Sequence, residues 1–458
     1  MKVENQKIFD ENPRLFSSNI PRPSILIGLI VVIVALSVPV TSHGQDQEFV
    51  FRDPDPEKIV SLGYTYQRSD GNRVAKGKGA MSEVAPVDIQ LGGIPEWVVG
   101  THYEGGYLWA AVLEEGLVEG YWVSRTAQVE PVSIKPGKIP PNMPPLLAIE
   151  DGYPVLFTPP VESASMLTHP VVLSSSDRLA FINGEGELVI WDESHVTVLK
   201  VNALPDARIL VDERERLLLL TDPTTDYGHG ALGDQIEARS ITLIETSDDP
   251  SVVAEIRMPG KSVVEGIAPI WADLTGDGER EIITTNSDRA RGARIFVFKE
   301  SGELLGSGTA VGKGYRWRHQ LALARFNPEG EIELVDVLTP HIGGQIEYYG
   351  LNNDNLEIVA ARSGFTSHVI GSRNLDMAVV GDVDGNGKLE LLIPSDSMIE
   401  LGAISRTRTG LEESWRVPIG GTITTNIATV TSPTDDLAVA VGGSDKKLRI
   451  WVPGTGTQ

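Results

Sequence analysis

One nine-residue pattern occurs twice in this sequence and constrains the fold more than any other feature. The two copies run from Asp273 to Glu281 and from Asp382 to Glu390. In each copy, side chains that carry oxygen stand at positions 1, 3, 5 and 9, and glycine stands at positions 4 and 6. Glycine lets the chain fold back tightly, so alternate oxygens can converge on one point, as a hard cation such as calcium requires. The pattern therefore predicts two metal-binding loops.

Each loop supplies four predicted side-chain ligands. The predicted ligands are Asp273, Thr275, Asp277 and Glu281 in the first loop, and Asp382, Asp384, Asn386 and Glu390 in the second. An EF-hand is excluded, because its last acid stands at position 12 and a helix follows. Here short apolar runs of β-forming residues follow, which indicates loops between strands. A turn ordered by its own Asp side chain, without an ion, is the alternative interpretation.

The motif followed by a short strand resembles the calcium loops of FG-GAP or VCBS repeats, the units of integrin-type β-propellers. The resemblance covers about twenty residues in each copy, and degenerate copies extend it over most of the chain. It implies calcium as the cofactor and ion loops that join strands 1 and 2 of a blade. Thr275 departs from the Asp or Asn usual in the family. A third copy, residues 325–333, begins with Arg325, whose guanidinium we expect to replace the ion and bind Glu329 and Glu333.

The sequence from Val87 onward predicts an all-β fold. Short apolar runs are separated by Gly, Asp, Asn and Pro, and no stretch has the period of an amphipathic helix. The three loop copies recur every fifty-odd residues, which over residues 85–453 predicts a β-propeller of about seven four-stranded blades, with six or eight as alternatives. We expect Ile59–Tyr66, or the strand at Val87, to complete the last blade. A pair of β-sandwiches is disfavoured, because sandwiches do not predict a loop at a fixed phase.

The N-terminal region indicates export. Residues 1–44 combine a polar start with an apolar run from Ile25, and they are predicted to be a signal peptide cleaved near Ser42, or an uncleaved membrane anchor. Residues 45–84 are predicted to be a tether, and 454–458 a tail. The absence of cysteine excludes disulfides, and a net charge of −24 argues against nucleic acid and anionic lipid as partners. An extracellular, periplasmic or cell-surface location is expected, with membrane contact only through the N-terminal segment.

A basic and aromatic patch is predicted at the end of the blades opposite the ion loops. There the loops between strands 2 and 3 and the crossings between blades meet near the central channel. Guanidinium groups bind carboxylate or phosphate, and aromatic rings stack on sugars, so we expect an anionic ligand there. The predicted ligand-binding residues are Tyr227, His229, Asp234, Arg289, Arg291, Arg316, Trp317, Arg318, His319 and His341.

The sequence favours a recognition or adhesion module over an enzyme. It contains no Gly-x-Ser-x-Gly elbow, zinc helix or phosphate loop. A glycan or a protein at the cell surface or in the periplasm is the expected partner. One alternative is a polysaccharide lyase or hydrolase on the same face, with His229 or His341 as base and Asp226 or Asp234 as its partner. A protein-docking scaffold in a surface complex is the other alternative.

Overall fold

The computed structural model describes residues 59–159, 163–174, 178–192, 195–247 and 249–454. The predicted export segment, residues 45–58 of the predicted tether and residues 455–458 of the tail lie outside these ranges. The described residues form strands, turns and loops without a helix, which confirms the all-β prediction. Correspondingly, the described ranges offer no helix with the length and hydropathy needed to span a membrane.

Most strands belong to runs of four consecutive antiparallel strands. The first runs are β4 (Pro95–Tyr103), β5 (Gly106–Leu113), β6 (Val118–Val123) and β7 (Val129–Val132); β10 (Val171–Leu173), β11 (Arg178–Ile182), β12 (Leu188–Trp191) and β13 (Val196–Leu199); and β14 (Leu210–Val211), β15 (Leu217–Thr224), β16 (Glu237–Glu245) and β17 (Ser251–Arg257). A short strand, β18 (Val263–Val264), follows them.

The later runs repeat this arrangement. They are β19 (Ile270–Ala272), β20 (Glu281–Asp288), β21 (Gly292–Lys299) and β22 (Leu304–Gly308); β23 (Arg318–Ala324), β24 (Glu333–Leu338), β25 (Gln345–Asn352) and β26 (Asn355–Ser363); and β27 (Val379–Asp382), β28 (Glu390–Pro394), β29 (Glu400–Thr407) and β30 (Gly410–Pro418). Burial falls along each run: β20 and β28 are almost wholly buried, whereas the fourth strands β17 and β30 alternate or face outward. Strands 1 to 3 therefore build the core, and strand 4 forms the rim.

Two further sheets combine strands that are distant in sequence. One contains β31 (Ala428–Thr431), β32 (Leu437–Gly443), β33 (Lys447–Trp451) and β3 (Val87–Gln90); the other contains β1 (Ile59–Gly63), β8 (Leu146–Glu150) and β9 (Tyr153–Phe157). Ile89 pairs with Leu448, so the strand at Val87 completes the last sheet. Ile59–Gly63 joins a different sheet. One sheet has only three strands, and the predicted count of about seven four-stranded blades is not confirmed.

Residues 59–84 are not a tether within the described structure. After β1, the segment runs along the inner strands and continues as β2 (Val74–Lys78), which pairs in parallel with β27. Asn72 both donates to Leu323 O and accepts from Leu323 N, at 2.9 Å each, and Trp271 N donates to Asp70 O at 2.9 Å. These bonds join the segment to several sheets. The polar composition of the segment suggested solvent exposure, but its polar groups satisfy the inner backbone edges.

Candidate functional site

The second predicted ion loop, between β27 and β28, gathers three carboxylates. Oxygens of Asp382, Asp384 and Glu390 lie within 4.8 Å of one another. Gly385 and Gly387 have φ of 78° and 85°, a conformation that side chains disfavour. This backbone lets Gly387 N donate to Asp382 Oδ2 at 3.1 Å, and Asn386 N to Asp384 Oδ1 at 3.0 Å. Within the ranges the structure describes, no other set of three Asp, Glu, His or Cys side chains brings its ligand atoms this close together.

The electrostatics of this trio fit a cation. Asp382 Oδ1 is buried and receives no hydrogen bond from the described residues. Burial, together with the neighbouring Asp384 and Asp382 carboxylates, raises the pKa of Glu390 to about 8. A buried acceptor without a donor and mutually repelling carboxylates are both relieved by a hard cation with oxygen ligands. The trio can therefore hold a metal ion.

The first predicted ion loop satisfies its own carboxylates. Asp273 accepts from Gly276 N at 2.6 Å and from Gly278 N at 3.0 Å. Glu281 accepts from Leu274 N at 2.7 Å and from the Thr275 hydroxyl at 3.3 Å. Asp277 accepts from Glu279 N at 2.8 Å. This loop matches the turn without an ion, and calcium here stays a prediction.

The third copy replaces the ion with a cation from another sheet, and the prediction for Arg325 is wrong. Arg325 donates to Gly330 O at 2.5 Å. Glu333 is bound by Arg406 of β29, whose Nε and Nη2 donate to its carboxylate at 3.1 Å to 3.3 Å. Glu329 pairs with Arg408 at 3.0 Å. Arg406 and Glu333 are both buried, so the adjoining sheet neutralises this loop from outside it.

Five segments form the face at the opposite ends of the strands. They are residues 225–236, 289–291, 309–317, 339–344 and 364–378, and we call their exposed part the five-loop surface. Backbone bonds connect neighbours: Gly312 N donates to Arg291 O, Thr339 N to Trp317 O and Gly371 N to Ala231 O, each at 2.8 Å. The predicted patch residues do converge here, but they divide into buried and exposed groups.

The buried group is a cluster of imidazole and aromatic rings. Trp317 stacks on His319 with ring centroids 5.1 Å apart and meets His368 edge-on at 4.9 Å. His341 lies 5.9 Å from both His229 and His368. Burial lowers the pKa of His319, His341 and His368, to about 4 for His368. These three imidazoles are therefore neutral at pH 7.

Arg318 and His319 are not available to a ligand, which corrects two of the predicted contacts. Arg318 is buried and pairs with Asp336 at 3.1 Å and with Glu347. His319 is 1% exposed, and its Nδ1 lies 2.8 Å from Ser367 Oγ. Both residues lie in β23, where side chains alternate between the two faces of a packed sheet. Trp317 and Tyr227 are also only 1% exposed, so neither offers a stacking face to a sugar.

The exposed group consists of cations. Arg289, Lys313 and Arg316 are exposed, and none has an acid partner within the described ranges. Arg291 is exposed and pairs with Asp288 at 3.2 Å. Asp234 accepts from Arg373 at 2.6 Å, so it balances a neighbouring charge.

The predicted general-base pairs do not form among the described residues. Asp226 pairs with Arg239, and Asp234 with Arg373. His229 Nδ1 pairs instead with Glu265, a residue that no sequence pattern indicated. Glu265 also accepts from Ser287 Oγ, and its backbone oxygen accepts from Trp317 Nε1 at 3.0 Å. Glu265 therefore holds both rings in place.

Several further residues of this region were missed. His368 and Tyr315 belong to the ring cluster, and Tyr315 stacks on His229 at 5.1 Å. In the last of the five segments, the buried Asp376 binds Arg73 at 3.1 Å and also binds Arg208. His368, like Trp317, lies in a connection between two consecutive runs of strands, and that shared position could have suggested it. The Asp376 network gave no sequence signal, because its members are far apart in the chain.

Comparison with known proteins bears on the fold. No family model matches this chain, and a search of curated proteins found no match. A solved structure of a europium-containing methanol dehydrogenase is similar with a TM-score of 0.51 at 11% identity, over 83% of this chain and 90% of that one. The chain has a β-propeller fold.

Two other similar structures align less well. The WD40 β-propeller domain of Doa1 has a TM-score of 0.39 at 10% identity, over 83% of this chain and 96% of that one. Raptor of Chaetomium thermophilum has a TM-score of 0.42 at 12% identity, over 84% of this chain. The alignment spans 29% of the Raptor chain. At these identities the likenesses concern the fold alone.

Proposed function

We propose that this chain is an exported, calcium-stabilised β-propeller that recognises an anionic ligand on its five-loop surface without catalysis. One observation carries the proposal: Arg289, Lys313 and Arg316 are exposed together without acid partners in the described ranges, on a chain of net charge −24. Such cations attract and orient carboxylate or phosphate groups, and Arg does so in bidentate geometry. A carboxylated glycan or an acidic protein fits this chemistry.

Calcium has a supporting role in this proposal. The trio of Asp382, Asp384 and Glu390, with the Asn386 side chain, supplies the oxygen ligands that calcium prefers, and the buried Asp382 Oδ1 lacks another partner. The resemblance of the loop to FG-GAP or VCBS repeats points to the same ion. The trio and the five-loop surface lie at opposite ends of the strands. Calcium therefore stabilises the connection of β27 to β28 and does not contact the ligand.

The binding proposal is tested with paired arginine variants. Carboxylated glycans and acidic proteins are arrayed and probed with wild type, with Arg289→Gln/Arg316→Gln, and with Arg325→Gln/Arg408→Gln as a charge-matched control at the ion-loop end. We expect the first variant alone to lose binding, and the loss to shrink at high salt because screening weakens the wild-type interaction. Equal binding by both variants, or no binding by wild type, overturns the proposal.

Lyase or hydrolase chemistry is the second candidate, favoured by the pairing of His229 with Glu265 beside Tyr315. A carboxylate orients an imidazole for proton transfer, and the phenol supplies a second proton donor. If this candidate holds, uronic-acid polymers are shortened or yield unsaturated, ultraviolet-absorbing products, and His229→Gln abolishes the reaction. Silence over a broad panel of polymers removes this candidate.

A further inference from the structure

Large apolar side chains are exposed among the cations of the five-loop surface. Ile342 is 68% exposed, Ile370 61%, Tyr315 44% and Val369 42%. Isolated exposed aliphatic residues are common on protein surfaces, but a group of them around one site marks an interaction surface.

These side chains belong to one continuous surface. Tyr315 stacks on His229, His229 lies 5.9 Å from His341, and Ile342 follows His341 in the chain. His341 in turn lies 5.9 Å from His368, and Val369 and Ile370 follow it. The ring cluster, with Tyr315 as its exposed member, is therefore the floor of this surface, and Ile342, Val369 and Ile370 stand beside it.

The free charges of this surface are positive. Each acid of the five segments is paired: Asp226 with Arg239, Asp234 with Arg373, and Asp376 with Arg73 and Arg208. The exposed Arg289, Lys313 and Arg316 have no acid partner within the described ranges. A ligand that complements the surface thus carries negative charge next to apolar groups.

We infer that the ligand of the five-loop surface is a protein segment that carries Asp or Glu beside apolar side chains. This inference rests on the proposed function and decides between its two ligand classes. A glycan reader needs exposed aromatic faces for the sugar rings, but Trp317 and Tyr227 are 1% exposed, and of the ring cluster only Tyr315 is largely open. Isoleucine and valine gain little from a hydrated sugar, whereas they pack well against leucine, phenylalanine or methionine.

The test selects ligands and then removes each kind of contact separately. A displayed library of random peptides is panned against the full chain, and the enriched peptides are measured on four proteins. These are wild type, Ile342→Ser/Ile370→Ser, Arg289→Gln/Arg316→Gln, and the control Val252→Ser/Val253→Ser, which changes two exposed valines of the outer strand β17. Melting temperatures confirm that each variant is folded.

We expect the enriched peptides to combine acidic and apolar residues, with affinity reduced about tenfold or more by the isoleucine pair and by the arginine pair, and unchanged in the control. Peptides or uronate oligomers that bind through the arginines but are indifferent to the isoleucine pair refute this inference and leave the proposed function intact. If neither pair changes the binding of any peptide or uronate oligomer, both the inference and the proposed function fail.

Discussion

Replacing Asp382 by Asn should have opposite effects on stability with and without calcium. In the calcium-free protein the carboxylate repels that of Asp384 and helps to keep Glu390 protonated, and its Oδ1 has no donor among the described residues. Asn keeps an oxygen for Gly387 N and replaces the other oxygen with a donor that faces the remaining carboxylates. Without calcium, the variant should be as stable as wild type or more stable.

The size of both effects follows from the geometry. Two unit charges 4.8 Å apart repel by roughly 3.5 kcal/mol at an effective dielectric constant of about 20, so even a strongly screened loss of the repulsion between Asp382 and Asp384 offsets the altered hydrogen bond. In our proposal, calcium at about a hundredfold excess over Kd should stabilise wild type by about 2.7 kcal/mol. At roughly 2 °C per kcal/mol this raises Tm by about 5 °C. Loss of a charged ligand should at least halve that gain in the variant.

The assay is thermal unfolding of both proteins in EGTA and in excess calcium. The stability order should reverse: the variant equals or exceeds wild type in EGTA, and wild type is the more stable in calcium. Asp273→Asn serves as the comparison, because both Asp273 oxygens already accept backbone hydrogen bonds. It should lose about 1 kcal/mol in either buffer. A wild type that does not respond to calcium, or an Asp382→Asn variant that is equally weakened in both buffers, refutes the reasoning.

Three further predictions concern the buried charges and imidazoles. Arg406→Met should destabilise the protein by about 3–5 kcal/mol in denaturant unfolding, because it leaves Glu333 buried without its arginine partner. Arg408→Met removes one member of an exposed pair and should change stability by less than about 1 kcal/mol. Similar losses for the two variants would contradict the conclusion that Arg406 neutralises the third loop. The pKa of His368 is lowered to about 4, below its unfolded value, so its contribution to stability is present above pH 6.5 and is lost as pH falls towards 4. His368→Gln should reduce the fall of the free energy of unfolding over this pH range by about 3 kcal/mol at most. An unchanged pH dependence would exclude His368 as its source. Asp376→Asn, which leaves two buried arginines without their carboxylate, should cost about 3 kcal/mol or more in the same unfolding assay. A loss below about 1 kcal/mol would show that this buried network contributes little to stability.

The two ends of the propeller solve the same electrostatic problem in different ways. At the ion-loop end, carboxylates project from the turn between the first two strands of a sheet, and each is balanced by backbone N–H groups, by an arginine or, in our proposal, by calcium. Arg216 bonds Asp212 at 2.8 Å within one sheet, and Arg406 reaches Glu333 from another. At the other end, burial keeps His319, His341 and His368 neutral, and the free charge lies on exposed cations.

The sequence alone determined the features that depend on neighbouring residues. Alternating oxygens with glycine at two fixed positions specify a tight loop whether or not an ion binds, because positive φ and short range confine the possible turns. Short apolar runs between turn residues specify strands, and their recurrence specifies repeated sheets. These local rules placed the Asp382–Glu390 loop between its strands and put the His229 and His341 loops at the other end.

Only the tertiary structure decided which distant groups meet. Arg406 lies 73 residues from Glu333, and Asn72 lies 251 residues from Leu323, so no local pattern could show that Arg406 binds Glu333 or that residues 59–84 bond to several sheets. Both faces of β23 are packed, so Arg318 and His319 are both buried although their side chains point to opposite faces. Contacts between sheets, and not the chemistry of the single residue, determine whether an arginine neutralises a buried carboxylate or remains free for a ligand.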